Sequence, residues 1–246
     1  MRVPRIHVAT RLEPQALIEL PAASVDYLAK VLRLEAGHPL LVFNGDGLQY
    51  EAEIVSTGKR GEHVRIVSQG TKLSVESPLR ITLAQGIARG EKMDWIVQKA
   101  VELGVAHIVP IITERTEVKL DTGRAERRVA HWQAVAVSAC EQCGRAVVPV
   151  VATPVKLATW AATLADDAGR RLSLDPKATQ SPRDLTLPQN TATLAIGPEG
   201  GLAANDLAIL AAANFVAMRL GPRILRTETA GIVAIGALQT LFGDLG

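Results

Sequence analysis

Three short segments carry residue types from which a reactive or binding site can be built. In the first, the apolar run Leu194-Ala195-Ile196 enters Gly197-Pro198-Glu199-Gly200-Gly201, and a helical pattern follows. Glycine lets backbone amides approach a ligand, and the carboxyl ends of strands are where open α/β sheets bind ligands. The plainer reading is a sharp strand-to-helix turn. In the second, Leu220-Gly221-Pro222 ends a strand pattern and Arg223-Ile224-Leu225-Arg226 forms a short basic loop. A helix is expected to begin near Thr227-Glu228-Thr229. Thr227 can cap that helix and Glu228 suits its positive end. From pattern alone the two arginines are either site cations or solvated surface. The third segment is Cys140-Glu141-Gln142-Cys143. One such pair cannot close a four-ligand zinc site. A redox pair prefers a helix N-terminus, whereas this one falls at a predicted C-terminus, where the macrodipole opposes a thiolate. Two small residues buried near a helix end is the simpler account.

Several familiar chemistries lack their residues. There is no GxxxxGK(S/T) phosphate loop, no GxGxxG fingerprint, no HExxH and no GxSxG. The five histidines, at 7, 38, 63, 107 and 131, are scattered, so no metal is expected. Ordinary kinase, hydrolase and dehydrogenase readings lose their support.

The segments need elements to position them. From Gln69 to Pro78 a polar stretch changes the texture, and the domain boundary is placed there, giving domains 1–72 and 73–246. In the first, Leu48, Tyr50, Ala52 and Ile54 alternate with polar residues, as do Val64 and Ile66, which is the period of a strand with one wet face. Asn44-Gly45-Asp46-Gly47 is a hairpin signal. Ser24–Leu34 reads as a short helix with Ser24 as its cap. Several short strands and one helix suggest a small barrel.

In the second domain, apolar runs at 81–87, 108–112, 147–151, 171–174, 194–196 and 215–220 lack strict alternation, as parallel strands covered on both faces do. Helical patterns lie between them. Asp94–Leu103 turns Ile96, Val97, Ala100 and Val101 inward, and Gly123–Cys143 carries a stripe through Ala125, Val129, Trp132 and Ala136. The last helix, through Phe242, has no charge after Glu228 and holds Gly231 and Gly236, so it is buried all round or forms a close subunit contact. Alternating strands and helices predict an α/β domain with a mostly parallel sheet.

Composition narrows the partners. The 246 residues are 48% hydrophobic and 21% charged, which excludes a disordered chain. Aromatics are only 3%, which counts against binding single strands by stacking. The net charge of +2 is too weak for a protein that coats nucleic acid. No signal peptide or membrane-spanning run is visible, and two cysteines cannot build a disulfide framework, so a cytoplasmic protein without a membrane partner is expected.

Together, IGPEGG and the later LGPRILRTETA closely resemble the RsmE family, SPOUT-class methyltransferases that methylate N3 of a uridine in 16S ribosomal RNA. Val31-Leu32-Arg33-Leu34, Lys99-Ala-Val-Glu-Leu-Gly104, Glu141-Gln-Cys-Gly-Arg145 and Leu172-Ser-Leu-Asp-Pro176 match in family order, so the resemblance spans nearly the whole chain. It implies a PUA-like RNA-binding β-barrel followed by a SPOUT α/β domain with a deep trefoil knot. It also implies a homodimer acting on 16S rRNA or the small ribosomal subunit.

The cofactor implied is S-adenosyl-L-methionine, held by Leu174, Asp175, Ile196, Gly197, Pro198, Glu199, Gly200, Gly201, Leu220, Gly221, Ile224 and Leu225. Arg226 is the expected charge for a uracil anion, and Glu228 either accepts the N3 proton or caps the helix. Arg33, Arg89, Lys92, Lys99, Arg115 and Arg145 are the expected RNA contacts. One departure from the family stands after the first loop. Ala203 replaces a capping Ser, so the next helix is expected to begin later, capped by Asn205. Two other readings stay open: a SPOUT enzyme for another RNA nucleotide, and a non-catalytic ribosome-assembly factor.

Overall fold

The alternation around Tyr50 lies where a strand pattern places it. The structure is a computed structural model that describes residues 3–56, 63–73, 75–118, 122–164 and 169–246. The chain divides into two compact units, Met1–Glu76 with Cys140–Val148, and Ser77–Ala139 with Pro149–Gly246.

The first unit holds β1 (Arg5–His7), β2 (Leu17–Glu19), α1 (Ala22–Asp26), β3 (Pro39–Phe43), β4 (Leu48–Ser56), β5 (His63–Ile66) and β6 (Thr71–Lys72). The strands pair in the order β1-β3-β4-β5-β2, and β6 joins β4. Tyr50, Ala52, Ile54, Val64 and Ile66 are buried in one core with Ile6, Leu28 and Val42, while Glu51 and Glu53 are exposed. The expected hairpin joins β3 to β4. Gly45 and Gly47 turn it at φ 92° and 85°, where side chains are disfavoured. Asn44 and Asp46 accept the Asp46 and Leu48 amides at 3.2 and 2.8 Å.

Ser24 is not a cap. Its amide donates to Pro21 O at 2.9 Å, and it lies inside α1, which continues as a π-helical turn over Tyr27–Val31. The unit also takes in the last turn of the long helix, which a boundary at 72/73 assigns to the second domain. Arg5 explains why. Its guanidinium donates to Cys140 O at 2.7 Å and Arg145 O at 3.3 Å, and so ties the helix end and the residues just past it to β1.

The second unit runs β7 (Arg80–Gly86), α2 (Glu91–Glu102), β8 (His107–Ile112), α3 (Thr122–Cys143, its last turn excepted), β9 (Val150–Val151), β10 (Val155–Lys156), α4 (Leu157–Ala161), β11 (Arg170–Leu174), β12 (Thr191–Ile196), α5 (Ala204–Ala212), β13 (Val216–Met218) and α6 (Thr227–Phe242). Its strands are all parallel, in the order β10-β8-β7-β12-β11-β13, with β9 also on β8. Leu83, Leu172 and Leu194 are fully buried, as strands covered on both faces require. The run at 147–151 yields strand only at Val150–Val151, because the residues through Val148 belong to the first unit. On α2, Ile96, Val97, Ala100 and Val101 are buried as the period predicts. Central β12 lies between β7 and β11, with Gln85 opposite Ile196, and β11 places Leu174 opposite Met218. The carboxyl ends of these four strands therefore open side by side.

Candidate active site

A cavity of about 800 Å³ lies at those strand ends. The segment after β11 brings Leu174 and Asp175 to it, the loop after β12 brings Ile196 through Gly201, and the loop after β13 brings Leu220, Gly221, Ile224 and Leu225. Arg226 and Glu228, at the start of α6, line the same space, as do Lys92 and Arg115. Both loops singled out in the sequence thus meet on one cavity, of a size that takes a cofactor.

The first loop is shaped by what it cannot accommodate. A Cβ on Gly197 would lie 2.6 Å from the Gly201 carbonyl carbon and 2.7 Å from the Leu202 nitrogen. Gly201 has φ 70°. The turn is therefore closed to any larger residue at Gly197, and its backbone forms the cavity wall. Glu199 points to the neighbouring segments, accepting the Arg89 amide at 3.0 Å and Lys92 Nζ at 3.2 Å. Burial alone would raise its carboxyl pKa, but the amides of Arg89 and Glu199 and the Lys92 ammonium together hold it below the usual value. Arg115 Nη1 donates to Gly200 O at 2.8 Å.

The helix after this loop begins at Ala204, not later. Asp206, three residues into the turn, accepts the Ala203 amide at 2.9 Å and the Glu114 amide at 3.2 Å, which replaces the missing side-chain cap. Asn205 is not the cap.

The second loop offers its side chains to solvent. Arg223 and Arg226 are exposed, and neither shows a side-chain hydrogen bond or ion pair among the described residues. Ile224 is 85% exposed. Thr227 does not cap α6. It is buried, and its hydroxyl donates to Gly197 O at 2.6 Å, so the N-cap position falls to Arg226. Glu228 Oε2 is buried and takes no hydrogen bond among the described residues.

The expected RNA contacts scatter. Lys92 and Arg115 reach the cavity; Arg89 is exposed nearby and pairs with Glu117 at 2.7 Å. Lys99 pairs with Glu102 at 2.7 Å. Arg33 is exposed in the first unit, at φ 54°. Arg145 is a correction. It is 4% exposed and its guanidinium grips Glu76 at 2.7 and 3.1 Å, which leaves it nothing to offer RNA. Cys140 is fully buried, and that burial pushes its thiol up to about 12, which removes the nucleophile a redox pair needs. Among the described residues no cluster of His, Cys, Asp or Glu could hold a metal ion, and no helix is long and apolar enough to cross a membrane.

Comparison with known proteins decides the family. The RNA methyltransferase domain model matches residues 75–239, and the RNA methyltransferase PUA domain model matches residues 20–67. The ribosomal RNA small subunit methyltransferase E of Buchnera aphidicola is 33% identical over 99% of this chain and 95% of its own. The chain belongs to the RsmE family of RNA methyltransferases. Two solved members superpose along their whole length. A Legionella pneumophila protein in complex with SAM has TM-score 0.93 at 39% identity, covering 100% of both chains. The Neisseria gonorrhoeae ribosomal RNA small subunit methyltransferase E bound to S-adenosyl methionine has TM-score 0.92 at 35%, also covering 100% of both. The family's first domain is thus PUA-like and its second a mixed α/β domain on a parallel sheet.

Proposed function

We propose that this chain transfers the methyl group of S-adenosylmethionine to N3 of a uridine in 16S ribosomal RNA, on the assembled small subunit. The observation that carries the reading is the meeting of the two family loops, with Arg226 and Glu228, on one cavity. The residues fit the cofactor. Gly197 keeps the wall at backbone thickness, and Glu228 lines the same cavity from the first turn of α6. The backbone from Ile196 to Gly201, with Leu174, Asp175, Leu220, Gly221, Ile224 and Leu225, would hold it. Relatives of this fold were solved with that molecule bound.

When bound, the cofactor supplies an electrophilic methyl carbon next to a positive sulfur. The chain's own residues must do the rest. Uracil N3 must lose its proton to become a nucleophile. Arg226, exposed at the helix start and unpaired among the described residues, can place its charge on a carbonyl oxygen of the resulting anion. Glu228, in the first turn of α6 and lining the same cavity, is the candidate proton acceptor. Arg33, Arg89, Lys92, Lys99 and Arg115 remain candidates for the phosphate backbone, with the PUA-like domain as a second RNA-binding surface.

The same reading gives the second domain a SPOUT knot and the protein a homodimeric, cytoplasmic working state. Support for the knot comes from α6, which follows edge strand β13 yet returns to pack on α2. There Gln239 donates to Leu103 O at 2.8 Å and accepts from Ser77 at 2.7 Å. Support for the dimer comes from the uncharged face of α6, where Val233 and Leu241 are 43% and 46% exposed. Nucleoside mass spectrometry of 16S RNA from a strain lacking the gene tests the function. The reading expects 3-methyluridine to vanish and to return on complementation; an unchanged nucleoside profile would refute it.

A further inference from the structure

At the end of β7, Gln85 is 0% exposed. A primary amide there must find partners for two N–H groups and one carbonyl. Nε2 lies 2.9 Å from Gly86 O and 2.9 Å from Thr227 Oγ1, with Gly197 O further off at 3.5 Å. Every neighbour of Nε2 is an oxygen, so the amide has a single sensible orientation. Thr227, 6% exposed, has one hydroxyl proton, and Gly197 O takes it at 2.6 Å. The donors then run one way, from Gln85 to Thr227 to Gly197. Among the described residues Oε1 of Gln85 is left buried without a partner, a cost the site tolerates.

This chain of donors ties together three segments that are distant in sequence: the end of β7, the loop after β12 and the first residue of α6. The segments are already as close as backbones allow, since a Cβ on Gly86 would lie 2.5 Å from the Pro198 nitrogen. Packing alone can set that distance. The Thr227 hydroxyl adds a directed bond to that contact at the first turn of α6, beside Arg226 and Glu228, while Gln239 anchors the far end of the helix.

We infer that Gln85 and Thr227 are a positioning pair, whose buried amide and hydroxyl lock the first turn of α6 onto the Gly197 carbonyl and so aim Arg226 and Glu228 into the cavity. The inference rests on the reading of that cavity as the methyl-donor site. Thr227 acts through its hydroxyl, not its bulk. Gln85 acts through its two donors.

The test compares Thr227→Val, which keeps the shape and removes the hydroxyl, with Thr227→Ser, which keeps the hydroxyl. Each is followed by thermal melting, by calorimetry with S-adenosylmethionine, and by kcat and KM on small ribosomal subunits. Thr227→Val is expected to lose about tenfold or more in kcat, with KM for the subunit nearly unchanged, because two buried groups lose their partner. Thr227→Ser is expected to restore most of that rate. If Thr227→Val does not fold, Thr227→Ala carries the same expectation. A folded Thr227→Val or Thr227→Ala enzyme with wild-type kcat overturns the pair. So does a Thr227→Ser enzyme as slow as Thr227→Val. A wild-type protein that binds no S-adenosylmethionine is a separate result: it overturns the reading of the cavity, and the pair with it.

Discussion

In the loop that follows β12, polar groups are occupied within the chain. Gly197 O takes the Thr227 hydroxyl, Glu199 holds Arg89 and Lys92, Gly200 O takes Arg115, and the Ala203 amide is met by Asp206. In the loop that follows β13, Gly221 through Ile224 and Arg226 are exposed, and the two guanidiniums are uncommitted among the described residues. Both loops line one cavity. The first is built to keep a backbone surface still, which suits a small cofactor. The second lends Leu220, Gly221, Ile224 and Leu225 to the same cavity and also presents two guanidiniums to whatever arrives from solvent, which suits a large anionic substrate.

The contrast between held and offered groups continues along α6, where the largest effect is expected. Ile235 is fully buried within its own chain, and Gly231 packs against Ile196, so neither belongs to an exposed contact. Ile235→Glu should unfold the second domain, since an unpaired buried carboxylate costs several kcal/mol. Val233→Glu, on the exposed side, should melt near the wild type yet sediment as a monomer. Thermal melting and sedimentation together check both; a monomeric wild type would remove the dimer.

Next in size is Gly200→Val. A Cβ there meets Arg115 Cβ at 3.1 Å, and valine's methyl groups must push that arginine from the loop. Affinity for S-adenosylmethionine should fall about tenfold, roughly 1.4 kcal/mol. Wild-type affinity in a folded variant would mean that this loop does not hold the cofactor.

A smaller effect should follow pH. Because the Glu199 pKa is lowered on folding, its contribution is present above the ordinary carboxylate value of 4.5 and is lost as pH falls through the folded value. The melting temperature should therefore carry the full Glu199 contribution between pH 7 and pH 5 and fall in stronger acid. Glu199→Gln should flatten that acid limb and cost up to about 1 kcal/mol at neutral pH. An acid limb unchanged in Glu199→Gln would separate the residue from the loop's hold.

The smallest effect belongs to the segment Cys140-Glu141-Gln142-Cys143. With its thiol raised to about 12, Cys140 should resist alkylation at pH 8 until the protein unfolds. Cys140→Ala should keep methyl transfer while costing on the order of 1 kcal/mol of stability. Peptide mapping after alkylation and a rate measurement check the two halves.

What could be read ahead of the structure was what short range decides. The alternation at Tyr50, the buried face of α2 and the glycine turn at 197–201 each depend on neighbours a few residues away. What could not be read depends on partners far along the chain. Thr227 looks like a cap until Gly197, 30 residues earlier, takes its proton, and Gln85 gives no local sign that it lies 142 residues from its partner. Arg145 sits in a run that resembles the family and was expected to face RNA, yet Glu76, 69 residues away, has it. The start of α5 is a local exception: Asp206 reaches back three residues to the Ala203 amide, a capping carboxylate without a Ser or Thr at the cap. The short α4 has too few residues to show a helical period.

The account stands most directly on Arg226. Two measurements on one preparation of Arg226→Ala decide it: calorimetry with S-adenosylmethionine, and single-turnover methylation of small ribosomal subunits at saturating cofactor. If Arg226 meets the substrate while the backbones of both loops hold the cofactor, affinity should stay near wild type while the rate falls by about 3 to 4 kcal/mol of barrier. Arg226→Lys should recover part of it, because a point charge does not reproduce a planar fork. A near-normal rate in Arg226→Ala, or a loss of cofactor affinity in step with the rate, would contradict the account.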